Sequence, residues 1–324
     1  TVYLDRGMDI PAASFRGRAM GWRSTTGDVA PQYFEPEGIR WLRSYYGGLL
    51  TTCGLTQVGA PAPDSALNGN GLHGRIAHTP AQNVCVVQEW RGGAYVLELS
   101  GSMRETSVFG VNLVLHRTIS TQMGATSFTL RDTIVNEGFD EVPLMLLYHC
   151  NIGWPAVDAG ARIIAPTQRI APRDAEAVRG KEAWWKLDPP THGYREKVYY
   201  HDMRPAKDGT ACAAVVNEAL GGGEVFGVYV RYKPAQLPRF VQWKQMGEQD
   251  YVLGLEPCNC GVEGRAEDER LGLLETLRPG ARKVVEIEFG PIGTAAEVKA
   301  IERQAGSRKP VFCEHYSEFV KPPR

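Results

Sequence analysis

A chain of 324 residues with 43% hydrophobic content is long enough to bury a sizeable core, which excludes disorder as its main state. Its formal charge of −1 comes from interspersed acids and bases, with no basic run to track a phosphate backbone, so no nucleic-acid partner is expected. The longest apolar run, residues 142–148, is far too short to span a bilayer, and the start lacks a charged leader ahead of an apolar stretch, so no membrane partner is expected and a soluble, cytoplasmic protein is.

In chain order, residues 2–4 and 11–16 read as extended and flank Asp5-Arg6-Gly7-Met8-Asp9-Ile10, a turn-like hexapeptide whose plainest reading is a charged hairpin connection. Residues 35–46, EPEGIRWLRSYY, are one of few helical candidates, with Ile39, Leu42, Tyr45 and Tyr46 on one side. Gly38 weakens that helix, since glycine costs about 1 kcal/mol in a helix interior. Gly47-Gly48 ends it and an extended run resumes over 49–53. A Pro/Gly/Asn-rich loop over 59–71 leads into Leu72-His73-Gly74-Arg75. Strands follow at 84–90, 94–99, 109–123, 126–136 and 142–150, rich in β-branched and aromatic residues and separated by glycine or polar clusters.

Past Cys150 the pattern loosens. A short strand at 162–165 precedes a charged stretch, 173–186, that suits a brief helix around Trp184-Trp185. Strands resume at 197–200, 211–217, 225–232, 239–244 and 251–255, a polar loop covers 261–269, and a last long strand runs over 282–289. Residues 294–305 give the clearest helix, with Thr294 as N-cap. Regularly spaced strands without intervening helices predict an all-β fold, a large antiparallel β-sandwich with few short helices, forming a single domain over 1–324.

Seven scattered cysteines, an odd number, fit reduced thiols better than a disulfide framework. Cys258-x-Cys260 is not the two-residue spacing of a zinc or redox site and no second pair answers it, so no metal is expected. The chemical candidates lie elsewhere. Alternation over YVLGLEPCN places Tyr251, Leu253 and Leu255 on one face and Val252, Gly254 and Glu256 on the other. Glu256 thus ends an apolar strand, where a carboxylate is either solvated, paired, or poised as a base. His149 stands at the end of the most apolar strand, as a hydrogen-bonded core residue or as a catalyst. His73 follows a flexible loop with glycines on both sides, where backbone freedom can bring an imidazole against a ligand. Asp202 terminates another strand, and Trp243 either stacks on a sugar face or fills core.

From about Leu4 to Gly293 the chain resembles the aldose epimerase family of galactose mutarotase-like proteins, in particular a branch carrying LDRGMDI, GGLLTTCGL and GLHGR. LHGR is similar to the family's LHGG-type loop, YHCNIG to the strand ending in its catalytic histidine, LEPCN to the strand carrying its catalytic glutamate, and LRPGARKVVEIEF to its final strand. The resemblance implies the mutarotase-like supersandwich, with Glu256 as general base, His149 as general acid and His73 as a substrate-orienting or acid-assisting group. It further implies Asp202 and, less directly, Arg43 as sugar-binding residues. Arg75 stands where the family has a second glycine, and Cys150-Asn151-Ile152-Gly153 replaces its usual stretch after the histidine, which bears on the substrate more than on the reaction.

The chemistry needs one base and one acid to open and reclose a sugar ring, with no cofactor. An ionised Glu256 facing a protonated His149 is the expected pair, with Arg75, Arg43 and Asp202 available to hydroxyls or an acidic substituent. The implied function is a cofactor-free aldose 1-epimerase acting on a small-molecule sugar. Its rivals are another epimerase, isomerase or lyase on the same fold, and a non-catalytic carbohydrate-binding protein.

Overall fold

The structure is a computed structural model describing residues 1–61 and 71–319; the middle of the predicted 59–71 loop lies outside the described residues. Its strands, in chain order, are β1 (Thr51–Leu55), β2 (Gln82–Arg91), β3 (Ala94–Thr106), β4 (Asn112–Gln122) and β5 (Phe128–Asn136). Next come β6 (Met145–Ile152), β7 (Arg162–Ile164), β8 (Thr167–Pro172), β9 (Lys197–Met203) and β10 (Ala211–Asn217). The last are β11 (Phe226–Tyr232), β12 (Arg239–Met246), β13 (Tyr251–Cys258), β14 (Arg282–Ile292) and β15 (Val311–Phe312). Two sheets result. One has seven strands in the order β15-β8-β9-β12-β13-β6-β1, the other eight in the order β7-β10-β11-β14-β5-β4-β3-β2. Every pairing within them is antiparallel except β8 with β15. The antiparallel sandwich read from strand spacing is therefore the observed architecture.

Period-two alternation sorts each central strand between two environments. Leu146, Tyr148, Cys150, Leu253 and Leu255 pack with Leu115, Leu130, Val228 and Ile287 of the other sheet. The alternate residues, Met145, Leu147, Val241 and Cys258, face outward under Trp41, Tyr45, Val58 and Tyr316. His149, Trp243 and Glu256 share that outer-facing parity, so the candidate chemistry sits on the loop-covered outer face of the seven-stranded sheet, not between the sheets.

Local readings need four corrections. Residues 35–46 form no α-helix: Gly38 takes a φ of 58° and only a 3-10 turn over Arg40–Ser44 forms, because Trp41 and Tyr45 are drawn into the outer-face cluster. The supposed loop 261–269 holds helix α2 (Arg265–Arg270), tied down by buried Asp268, which accepts from Arg239 Nη1 at 3.0 Å and the Gly261 amide at 2.9 Å. Helix α1 (Ala175–Gly180) falls before Trp184-Trp185 because the Asp174 side chain accepts from the Ala177 amide and starts it there. Glu256 does not end its strand, since β13 runs on to Cys258. Helix α3 (Ala295–Ala305) forms behind the Thr294 cap as the sequence suggests. Among the described residues no helix is long and apolar enough to cross a membrane.

The LDRGMDI stretch does turn back on itself, Tyr3 bridging Asp9 with Leu4 and Asp5 exposed, but its Arg6 and Asp9 are buried and form a clasp. Arg6 is 3% exposed and donates to the carbonyls of Ala77 (2.7 Å), Val29 (2.5 Å) and Ser44 (3.0 Å), binding three loop segments to one guanidinium. Asp9 accepts from the Thr52 amide and hydroxyl on β1 and from Arg117 Nη1 on β4.

Candidate active site

Neighbouring strands β9, β12, β13 and β6 present Val198, Val241, Trp243, Glu256 and His149 to one cavity of about 510 Å³. Loops roof it with Trp22, Trp41, Tyr45, Leu72 and His73. The volume suits a small molecule, and the mixture of aromatic walls with a few convergent polar groups is what such sites show.

The centre of the cavity is a carboxyl and an imidazole in contact. Glu256 Oε1 lies 3.3 Å from His149 Nδ1, the two side chains being 2% and 7% exposed. The approach is off the line of a hydrogen bond, and Oε1 has no hydrogen-bond partner among the described residues. Gly254, one step back on the same face, makes room for it: a Cβ there would come within 2.1 Å of Glu256 Oε1. Burial, reinforced by the charge of Glu196 and opposed by Arg173, pushes the Glu256 carboxyl well above its ordinary range. Burial, with His73 nearby, holds His149 well below its ordinary value. Both shifts work against the ion pair expected from opposite charges. Burial thus pushes both groups toward their uncharged forms, a protonated carboxyl beside a neutral imidazole.

Hydrogen bonds assign the tautomers of the two imidazoles. Tyr45 gives its hydroxyl proton to Asn151 Oδ1 at 2.6 Å, so toward His149 Nδ1, 3.2 Å away, it accepts. His149 then carries its proton on Nδ1 and keeps the Nε2 lone pair free. His73 accepts the Gly59 amide at Nδ1 (3.3 Å), which leaves Nε2–H as a donor. Burial lowers its pKa to about 4, so it stays a neutral donor near pH 7. Its backbone sits at a φ of 58°, a conformation that a residue other than glycine adopts where surroundings force it, and functional sites are where such strain collects. Gly74 beside it tolerates no Cβ, which would approach the Gly54 carbonyl to 2.4 Å.

Trp243 donates its indole N–H to Glu196 Oε2 at 2.7 Å, and Arg173 reaches Glu196 Oε1 at 2.9 Å. The indole stands edge-on to His149, ring centroids 5.3 Å apart. Glu196, Arg173 and Tyr45 are functional candidates that sequence reasoning missed. Tyr45 was visible only as part of an apolar stripe, and nothing local distinguishes Arg173 or Glu196 from their charged neighbours. Glu256, His149, His73 and Trp243 meet in the cavity, but three predicted residues do not. Asp202 lies four residues along β9 from Val198 and is bound to Arg169 Nε at 2.8 Å in a different cleft. Arg43 points to solvent, its side chain 75% exposed and paired with Glu35 at 2.7 Å. Arg75 is likewise solvent-exposed and outside the cavity wall, since the 3-10 turn Ile76–His78 directs the chain back into the core just after it. Among the described residues, no group of three or more His, Cys, Asp or Glu side chains could hold a metal ion.

The family model described as a domain of unknown function, DUF4432, matches residues 1–290. No curated protein matches the sequence. A solved structure from Klebsiella pneumoniae, described as a candidate aldose 1-epimerase, is similar with a TM-score of 0.89 and 26% identity over 97% of this chain and 83% of that one. A galactose mutarotase-like protein from Clostridium acetobutylicum has a TM-score of 0.57 at 11% identity, covering 90% and 92% of the two chains. A candidate aldose 1-epimerase from Escherichia coli K12 has a TM-score of 0.50 at 12% identity, covering 90% and 94%. The last two likenesses concern the fold alone.

Proposed function

We propose that this chain, which belongs to the DUF4432 family across residues 1–290 and has the galactose mutarotase-like fold, interconverts the anomers of a small aldose by acid–base catalysis. The observation that carries the reading is the buried contact of Glu256 with His149 inside a cavity walled by Trp22, Trp41 and Trp243. Tryptophan faces suit the apolar faces of a sugar ring, and His73 Nε2–H supplies a directed donor to one of its oxygens.

Mutarotation removes a proton from the anomeric hydroxyl and adds one to the ring oxygen, breaking the bond between the anomeric carbon and that oxygen. The resulting aldehyde turns about its bond to the next carbon. Closure from the other face returns both protons. A pair holding one proton between two sites meets this requirement: one member donates while the other accepts, and ring closure restores the starting distribution. With the proton resting on Glu256 the carboxyl can donate and His149 Nε2 accept. With the proton on His149 the roles exchange. Each positioned transfer is worth about 10²- to 10⁴-fold.

The one-proton state spans the interval from the depressed pKa of His149 to the raised pKa of Glu256, so both shifts widen it. The rate of anomer interconversion is expected to hold through neutral pH and to fall on the acid side only well below pH 6.5. An acid limb at 6.5 or above would contradict the pairing. The activity itself is tested by dissolving pure anomers of a panel of aldoses and following optical rotation with and without the protein. Acceleration of none of them would remove the reading and favour a binding protein.

Gly254→Ala tests position without removing a functional group. The inserted methyl meets the carboxyl end of Glu256 at 2.1 Å and Trp243 Cβ at 3.0 Å but no main chain, so the carboxyl must give way while the strand keeps its backbone. A displacement of about 1 Å can cost roughly 10²-fold in rate. The expected result is that loss with a thermal midpoint close to the parent's, measured by polarimetry and circular dichroism.

A further inference from the structure

A second cleft, of about 700 Å³, lies on the same outer face of the seven-stranded sheet. Val198 lines the reactive cavity and Asp202, on the same side of β9, lines this one, about 13 Å further along at 3.3 Å per residue. Tyr200 stands between them, its hydroxyl on Glu263 and its ring stacked on Tyr316. The two spaces are separate.

Charge sets this cleft apart from the rest of the chain. Arg169, Arg204, Arg308 and Lys309 line it against one carboxylate, Asp202, although the whole chain carries a net charge of only −1. Asp202 is already occupied by Arg169. Arg169 also donates to the carbonyls of Glu318 (3.3 Å) and Phe319 (3.4 Å), and Arg204 donates to the carbonyl of Ala305 (2.5 Å). Those neutral acceptors orient both guanidinium groups; Asp202 offsets the charge of Arg169, and that of Arg204 is left uncancelled. Arg308 and Lys309 have no hydrogen-bond or ion-pair partner among the described residues. Like charges converging on one concave space repel unless a counter-charge enters, and guanidinium forks fit tetrahedral oxyanions with two parallel hydrogen bonds.

We propose that this cleft binds a small multivalent oxyanion, specifically a phosphoryl group, at a site distinct from the reactive cavity. The test is titration calorimetry of the full chain with inorganic phosphate and with a monoalkyl phosphate, against sodium chloride at matched ionic strength. Saturable binding of phosphate beyond chloride is expected, weakening as salt rises. The Arg308→Ala/Lys309→Ala double variant is expected to bind at least about tenfold more weakly. Equal affinity for the two phosphates assigns recognition to the phosphoryl group alone, and tighter binding of the ester assigns part of it to the attached organic group; either supports the site. No saturation beyond chloride, or an unchanged affinity in the double variant, overturns it. Neither result bears on anomer interconversion, which rests on the other cavity.

Discussion

Glu256→Gln is expected to lower the rate of anomer interconversion by at least about 10²-fold while making the folded protein more resistant to heat at pH 7. Both effects come from one cause. An amide can neither give nor take the proton that the Glu256–His149 pair shares, so the acid–base step loses a partner. The stability gain follows from linkage. The folded carboxyl holds its proton well above the ordinary value of 4.5, so between those two pKa values the native state binds more protons than the unfolded chain. Stability from this group is fully present below about pH 4.5 and is lost as pH rises toward the folded value. Glutamine fills the same space with no charge to desolvate and escapes that loss. The gap in thermal midpoint between variant and parent should therefore be widest near neutrality and close as pH falls toward 4.5. Full activity in the variant would end the acid–base assignment. Lost activity with a lower midpoint at every pH would show instead that Glu256 is held by a partner that stabilises its charge.

Arg117→Met is expected to destabilise the fold by about 3–5 kcal/mol, the largest stability effect of any single substitution proposed. The Arg117 side chain is fully buried and reaches Asp132 with Nε and Nη2 at 2.9 and 2.6 Å, Asp9 with Nη1 at 2.9 Å, and Thr52 with Nη2 at 2.8 Å. Asp132 also takes the Tyr148 hydroxyl at 2.7 Å. Methionine would leave two carboxylates in the core with no cation, and burial already pushes Asp9 upward even with Arg117 beside it. Urea unfolding measures the loss, and adding Asp132→Asn to the variant should recover part of it, because one uncompensated charge is then gone. An Arg117→Met protein as stable as the parent would mean that these buried charges are neutralised in another way. The network also bears on the site: Thr52 pairs with Tyr148 across β1 and β6, and the next pair in the register is Thr51 with His149. The clasp that holds the sheets together thereby fixes the strand that carries the imidazole.

The clasp shows where local reading fails. Asp5 to Ile10 carries both charge signs around a glycine and has the look of a surface turn, yet Arg6 and Asp9 are among the most buried charges in the chain. Their partners are carbonyls and side chains at residues 29, 44, 52, 77 and 117, and no property of the hexapeptide announces them. Asp202 failed for a related reason. It lies one residue short of the end of β9, and a strand pattern says which face a side chain takes and not which of two clefts along that face it enters.

The sequence by itself determined the sandwich and the parity that sets Glu256 on the face opposite Leu253 and Leu255, because both depend on a period of two that is a property of neighbouring residues. Motif order brought His73, His149 and Glu256 together as a set before any coordinates did. Tertiary structure alone decided the rest of the wall and the direction in which burial pushes the two protonation equilibria. Tyr45, Arg173 and Glu196 reach the cavity through the order of β9, β12, β13, β6 and β1 and through the loops above them, and pairing between distant strands leaves no periodic trace in the chain. Burial works against the ionised pair that the residue types suggest for the same reason: the cost of desolvating charge is set by everything packed around Glu256 and His149, and no stretch of sequence contains that sum.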